Sequence, residues 1–390
     1  MKKILFLAMA LIVNLCAWSA SDFEVDGISY AILSEEDLTA EVVYNEGAYV
    51  GDVTIPARVS FEGKTYTVAA LHNQAFFKCA DLYSVSIPAT VSELGQYTFS
   101  QCTSLASVEL PSGITAIPNG TFYGCSALTA IQLPETVESI GEYSFSNCSA
   151  LKDINMPTGI TFIGKCALMA TALESFTVPQ TVTELSPYVL ALTTNLKTVT
   201  LHDGVKTIGE CALQGNTAMT TIQLPAGLET IEASAFAQCQ ALEEITVPDG
   251  IKAIPAKCFY NDMALRRIVM GKKVSTIGAE CFARYKSNTK APKLQDVYLT
   301  ADEIVTGGDS FIDEACAGAT LHVPSALVEA YKADASWSRF SNVVAIQDGE
   351  LDGIATINNR AASKQPQFFT PSGIRVGKGY KGAVKVATLK

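Results

Sequence analysis

Histidine is scarce in this chain: His72, His202 and His322 are the only three in 390 residues, each more than a hundred positions from the next. No CxxC, HExxH, GxSxG or phosphate-loop pattern occurs anywhere. Those absences leave no metal-ligand set, no nucleophile block and no nucleotide cradle. Gly308-Asp309-Ser310 has no matching histidine segment and is read as a turn before Phe311. The expectation is a non-enzyme with no catalytic residues, metal or cofactor. Charge is also sparse, at 17% of residues, and weighted to acid: 28 basic against 39 acidic, net −11. Such a chain is repelled by nucleic acid and by anionic lipid. Beyond the first nineteen residues, no apolar run approaches the length of a membrane helix.

Those first nineteen residues are set apart. Lys2 and Lys3 precede an apolar run from Ile4 to Leu15, and Ala17 and Ser19 place small residues before Ala20. This is the layout of a secretory signal. Its removal takes away two lysines and moves the net charge from −11 to −13. Asn14 and Leu15 stand before Cys16 where a lipobox needs small residues, which argues against lipidation.

What dominates the rest is a 23-residue phrase. From Leu105 it reads LASVELPSGITAIPNGTFYGCSA, and from Leu128 LTAIQLPETVESIGEYSFSNCSA. Copies begin at Leu82, Leu105, Leu128, Leu151, Leu173, Leu196, Met219, Leu242, Leu265 and Leu294. The pattern is L-x-x-[IV]-x-[LIV]-P-x-x-[VIL]-x-x-[IL]-G-x-x-[AS]-F-x-x-C-x-x. Self-similarity at a fixed short period marks a solenoid, whose turns bury apolar faces only against their neighbours. Pieces such as SVELP alternate apolar and polar residues and stop at proline, as a short half-buried strand does. A second extended piece follows (ITAI, VESI). The segment around Phe145 and Cys148 has helical spacing. The Leu151 copy is one residue short, with Leu168 in the phenylalanine slot and Thr171 in the cysteine slot. The Leu265 copy carries the insertion YKSNTKAPK.

Ten cysteines follow the leader. Cys79, Cys102, Cys125 and Cys148 fall 23 apart at one repeat position, and Cys258 and Cys281 take the small-residue slot before phenylalanine. A cysteine that trades with small residues at a core position reads as a buried free thiol. A bridge between stacked turns, about 5 Å apart, is the alternative.

The boundaries read as follows: leader 1–19, β-rich N-terminal cap 20–52, solenoid 53–299, degenerate last turn and C-terminal cap 300–348, linker and basic tail 349–390. Trp337, the only tryptophan after the leader, is expected in the cap core. From Gly353 onward there are seven basic residues and no acidic one.

Two surface features are candidate binding sites. Outward positions of the first strand line up as Ser86, Glu109, Gln132, Asn155, Thr177, Thr200, Gln223, Thr246, Val269 and Tyr298. The stripe from Gln132 to Thr246 offers hydroxyl and amide groups in register for an extended protein or glycan, or simply suits an exposed strand. Second, Arg266, Arg267, Lys272, Lys273, Arg284, Lys286, Lys290 and Lys293 cluster within one turn and its insertion, against only Asp262 and Glu280. They would attract an acidic protein, a sulfated glycan or lipopolysaccharide phosphate, or form a solvated loop.

The repeat resembles the BspA-like leucine-rich repeats, over about residues 53–299. HVPSALVEAYKADASWSRFSNVV is similar to that family's closing segment. The tail QFFTPSGIRV…KGAVKV is similar, more loosely, to C-terminal segments of exported Bacteroidota proteins. The resemblance implies a right-handed leucine-rich repeat solenoid with short parallel strands and short helical segments. It also implies an exported or surface-attached, monomeric binding protein, in some members an adhesin. Partners would be a protein or glycan on host or neighbouring cells, with outer-membrane attachment through the tail. A structural envelope component or spacer without a specific ligand is the alternative.

Overall fold

A computed structural model describes residues 21–45, 49–284, 294–307, 310–312, 316, 318–351, 367–369, 375–376 and 384–386. Two compact units divide at Val344/Ala345.

The first unit is a β-solenoid, and every turn has three sides. The first side is a strand of two to five residues such as Ser107–Glu109 or Ser175–Thr177. It pairs in parallel with its counterpart 23 residues on, for instance Phe176 opposite Val199. Its alternation puts Val108, Phe176 and Val199 inside. The second side is a two-residue strand, with Ile117, Ile140 and Ile163 in one ladder. At its end the backbone of the preceding turn passes so close that a Cβ on Gly141 would lie 2.6 Å from the Asn119 amide nitrogen.

The third side departs from the helix that the spacing predicts: it is a run of tight turns. The residues two before and two after the phenylalanine sit in the left-handed region, as at Tyr143 (φ 56°) and Asn147 (φ 61°) around Phe145. Alternate amides then leave the turn and donate to the next one: Tyr143 to Lys165 C=O (2.9 Å), Phe145 to Ala167 (2.8 Å) and Asn147 to Met169 (2.9 Å). Each left-handed residue costs about 1–2 kcal/mol, offset by a backbone ladder that a helix could not make between turns. The phenylalanine rings stack along the axis, with centroids 5.1, 5.4 and 5.3 Å apart from Phe76 through Phe145. That spacing is close to the strand separation within a sheet. Leu168, Leu190 and Leu213 continue the column, and all three are fully buried.

Beside this column lies the cysteine slot. All ten described cysteines are buried and outside any disulfide. Four thiols donate to the backbone carbonyl 26 residues earlier: Cys102 to Phe76 (2.9 Å), Cys125 to Phe99 (3.0 Å), Cys148 to Phe122 (3.0 Å) and Cys239 to Leu213 (3.2 Å). Thr193 donates to the same carbonyl position, Leu168, at 3.2 Å. The slot therefore selects a small hydrogen-bond donor rather than only a small hydrophobe. Burial pushes the Cys79 thiol up to about 11 and Cys148 to about 12, so neither is a thiolate at neutral pH.

The front of the stack is closed by a sheet. Phe23–Val25, Ile28–Ser34 and Thr39–Val42 are antiparallel. Lys64–Leu71 joins them in parallel and also pairs with Glu93–Leu94, which leads the cap into the repeat ladder. At the back, Arg267–Met270, Asp296–Leu299, Thr320–Val323 and Asn342–Ala345 form the last sheet with Glu244–Val247. The helix Val328–Ala333 lays Tyr331 inward, and Tyr331 Oη accepts the Val305 amide at 2.8 Å. Trp337 is fully buried and donates its indole N–H to Val305 C=O at 2.9 Å.

In the second unit, Gln367–Phe369 lies between Arg375–Val376 and Val384–Val386 in an antiparallel sheet. The proposed leader lies outside the described residues.

Candidate recognition site

The stripe is built from outward residues of the first strands. Gln132, Thr177, Thr200 and Gln223 are exposed, and Asn155 and Thr246 are half-buried. Thr177 lies opposite Thr200, and Thr246 opposite Val269. Asn155 spends its side-chain amide on structure: it donates to Leu133 C=O (2.8 Å) and accepts from Leu133 N–H (2.6 Å). Beyond Thr246 the stripe closes over. Val269 and Tyr298 are buried, and the Tyr298 ring stacks on His322 at 4.1 Å.

The stripe is interrupted in the middle. Between the turns led by Leu82 and Leu294, at least one strand ladder or bridge crosses every interface of the described residues but one. The exception is the interface between the Leu151 and Leu173 turns. There Asp153–Ile154 does not pair with Ser175–Thr177, nor Phe162–Ile163 with Glu184–Leu185. The missing residue between Thr171 and Leu173 explains this. At six of the nine interfaces the residue after the leading residue donates to its counterpart, as Lys152 does to Thr129 C=O and Lys197 to Glu174 C=O, both at 2.9 Å; the Leu105/Leu128 and Leu196/Met219 interfaces lack this bond. At the Leu151/Leu173 interface Ala172 donates to Leu151 C=O instead (2.9 Å), so the strand enters out of register. The turn ladder survives, with Cys166, Leu168 and Ala170 donating to Pro187, Val189 and Ala191. The Ser186 hydroxyl also reaches Ile163 C=O (2.5 Å), and that of Thr181 reaches Ile160 C=O.

A cleft of about 540 Å³ opens along this seam on the stripe side. Ile154, Met156, Phe176 and Val178 form its apolar part, with Lys152, Asp153, Ser175, Thr177 and Gln180 among the polar residues. The volume lies in the range of small-ligand sites. The one-residue deletion was visible in the sequence; the loss of both ladders was not.

Among the described residues, the basic side chains have separate neighbours. Arg266 is bound by Glu243 (3.4 Å) and Glu244 of the preceding turn. Arg267 lies over the Tyr298 ring, 4.9 Å from its centroid. Lys272 and Lys273 are exposed in the turn after the strand Arg267–Met270, which is roughly 10 Å long at 3.3 Å per residue. Arg284 is half-buried. Lys286, Lys290 and Lys293 lie outside the described residues. The acid count also changes: Glu243 and Glu244 are true neighbours, whereas Asp262 is buried in the core. The missed signal is the repeat itself, since Lys197–Glu174, Lys206–Glu229, Lys257–Glu280 and Arg266–Glu243 are all ion pairs 23 residues apart.

The histidines are structural in their contacts. His72 meets Asn73 C=O (2.9 Å), His202 meets Val182 C=O (2.9 Å) and the Gly204 amide (3.0 Å), and His322 meets Asp296 (3.0 Å). Among the described residues, no group of three or more His, Cys, Asp or Glu could hold a metal, and no helix is long and apolar enough to cross a membrane.

The model of the BspA type leucine-rich repeat region matches in six copies, at residues 69–197 and 183–296. The chain belongs to this family. Among solved structures, it is similar to the pneumococcal vaccine antigen PcpA, with 18% identity over 83% of this chain and 98% of that one (TM-score 0.51). It is also similar to a leucine-rich cell surface protein of Faecalibacterium prausnitzii A2-165, with 22% identity over 86% and 97% of the two chains (TM-score 0.48). For a leucine-rich repeat protein of T. pallidum the figures are 24% identity, 56% and 90% of the two chains, and TM-score 0.44. At these identities the likeness to PcpA is one of fold. No curated protein matches the sequence. Against the chain's own 23-residue period, the Leu151 turn is one residue short and the Leu265 turn carries an insertion.

Proposed function

We propose that this BspA-type chain is an exported, non-enzymatic recognition protein that binds a protein or a cell-surface glycan through the outer face of its first strands. The observation behind this reading is the row of outward hydroxyl and amide side chains, Gln132, Thr177, Thr200 and Gln223, on the first strands of the Leu128, Leu173, Leu196 and Met219 turns. Main-chain and short polar groups repeated at strand spacing suit an extended ligand. Family membership supports a surface role, as does the leader pattern of residues 1–19. The tail is proposed as the segment that attaches the protein to the outer membrane.

The test is capture of intact bacterial cells and host matrix proteins by the immobilised chain. Replacing Gln132, Thr177, Thr200 and Gln223 together by alanine is expected to weaken capture at least tenfold. Replacing Arg266, Arg267, Lys272 and Lys273 by serine is expected to change it less, because two of those cations are already engaged. Equal loss from both variants would move the site to the basic residues, and no capture by the wild-type chain would contradict the reading.

A further inference from the structure

The seam between the Leu151 and Leu173 turns is the one interface among the described turns where neither strand pairs. First-strand edges are also unpaired between the Leu105 and Leu128 turns and between the Leu196 and Met219 turns, but there the second strands keep their ladders. Val178 N–H donates to Thr200 C=O (3.0 Å) and Glu174 C=O accepts from Lys197 (2.9 Å), both toward the following turn. Alternation along a parallel strand then turns the amide and carbonyl groups of Ser175 and Thr177 toward the Leu151 turn. No strand of the described residues meets them there. Asp153–Ile154 likewise pairs on one side only, with Ala130–Ile131.

We propose that the cleft is the receptor for an extended peptide segment of a partner protein. The segment enters the seam as an added strand and places an apolar side chain against Met156 and Phe176. This deepens the recognition reading above and rests on it. Three features select a peptide. First, unpaired strand edges call for alternating main-chain donors and acceptors, which a peptide presents at the same spacing as the strand itself. Second, the apolar residues between those edges suit a side chain. Third, the mouth is electrically balanced: Lys152 adjoins Asp153, and Glu174 is engaged by Lys197 at 2.8 Å. A neutral backbone matches that balance, whereas a sulfated glycan would need surplus cations. The cleft also opens beside Thr177, so a strand seated in it runs onto the stripe.

The experiment uses the full chain and a fluorescent capped hexapeptide, Thr-Val-Thr-Val-Thr-Val, followed by anisotropy. A serine inserted between Thr171 and Ala172 restores the 23-residue period. It is expected to close the seam, raise the melting temperature and weaken peptide binding at least tenfold. The same peptide with alternate amides N-methylated is expected to bind wild type at least tenfold more weakly. Added peptide should also slow amide exchange of Ser175 and Thr177 at least tenfold, a readout independent of the insertion variant folding. Equal binding by the insertion variant or the methylated peptide, no binding to wild type, unchanged exchange at the seam, or displacement by a heparin hexasaccharide at equal concentration would each overturn the proposal. If the insertion variant loses the peptide but captures cells as wild type does, the seam is not the recognition site and the broader reading stands. If wild type binds the peptide but captures no cell or matrix protein, the seam proposal stands and the broader reading falls.

Discussion

Asp262 occupies the cysteine slot of the Leu242 turn, beneath Cys239 and beside Cys258 and Cys281. Its carboxyl is buried, and neither oxygen has a hydrogen-bond partner. The nearest backbone amides, of Gln238 and Cys239, are committed to Tyr260 and Phe236 carbonyls. Burial pushes this carboxyl far above the ordinary carboxylate range. The folded chain thus holds a proton that the unfolded chain releases near pH 4. Stability falls as pH rises above that value, because folding must then take up a proton. Replacing Asp262 by cysteine, which at other turns donates to the carbonyl 26 residues earlier, is expected to stabilise the fold by about 1–3 kcal/mol at pH 7. Urea unfolding should show that advantage shrinking toward pH 4. The slot's Cys and Thr occupants carry a donor, so that part of its chemistry was legible in the sequence. Reading the cysteines only as small hydrophobes missed it, because the accepting carbonyl lies a full turn away.

The left-handed positions make a second residue-scale prediction. Gln101 has φ 63°, and its amide donates to Tyr123 C=O. Gln101→Gly is expected to raise stability by about 0.5–1 kcal/mol, since glycine relieves the steric cost but brings a looser unfolded chain. A loss of stability in the same unfolding assay would show that the side chain's packing outweighs the backbone term.

At the scale of elements, the two strands were written plainly in the alternation and the prolines, and the third side was not. A three-residue spacing of Phe145 and Cys148 fits a helix and fits consecutive turns equally. The deciding fact is where the backbone amides go, and here they go to Lys165, Ala167 and Met169 on the next turn. Non-glycine residues such as Tyr143 and Asn147 tolerate φ near 60° because the neighbouring turn holds them. The seam shows the same limit from the other side. A single missing residue was visible beside Thr171, but whether it would be absorbed as a loop or break the sheets depended on register. Both strand ladders are absent there, while the turn ladder is kept.

For the molecule as a whole, a stack of units that touch only their neighbours draws its stability from interfaces and from the caps at its ends. Trp337, Tyr331, Phe311 and Phe340 close the far end. Trp337→Ala is expected to cost about 3–5 kcal/mol. Limited proteolysis should then begin in the last turns rather than at the front sheet. Such a stack is expected to have one weak joint, at the Leu151 and Leu173 turns, where recognition is proposed to occur. Hydrogen exchange of the free protein, resolved to single amides, tests that claim most directly. The account predicts fast exchange at Ser175 and Thr177 beside slow exchange at Val178 and Lys197, whose amides donate to the Thr200 and Glu174 carbonyls, with protection kept at Leu168 and Leu190. Equally slow exchange across all of these amides would mean that the seam is closed in solution, and would contradict it.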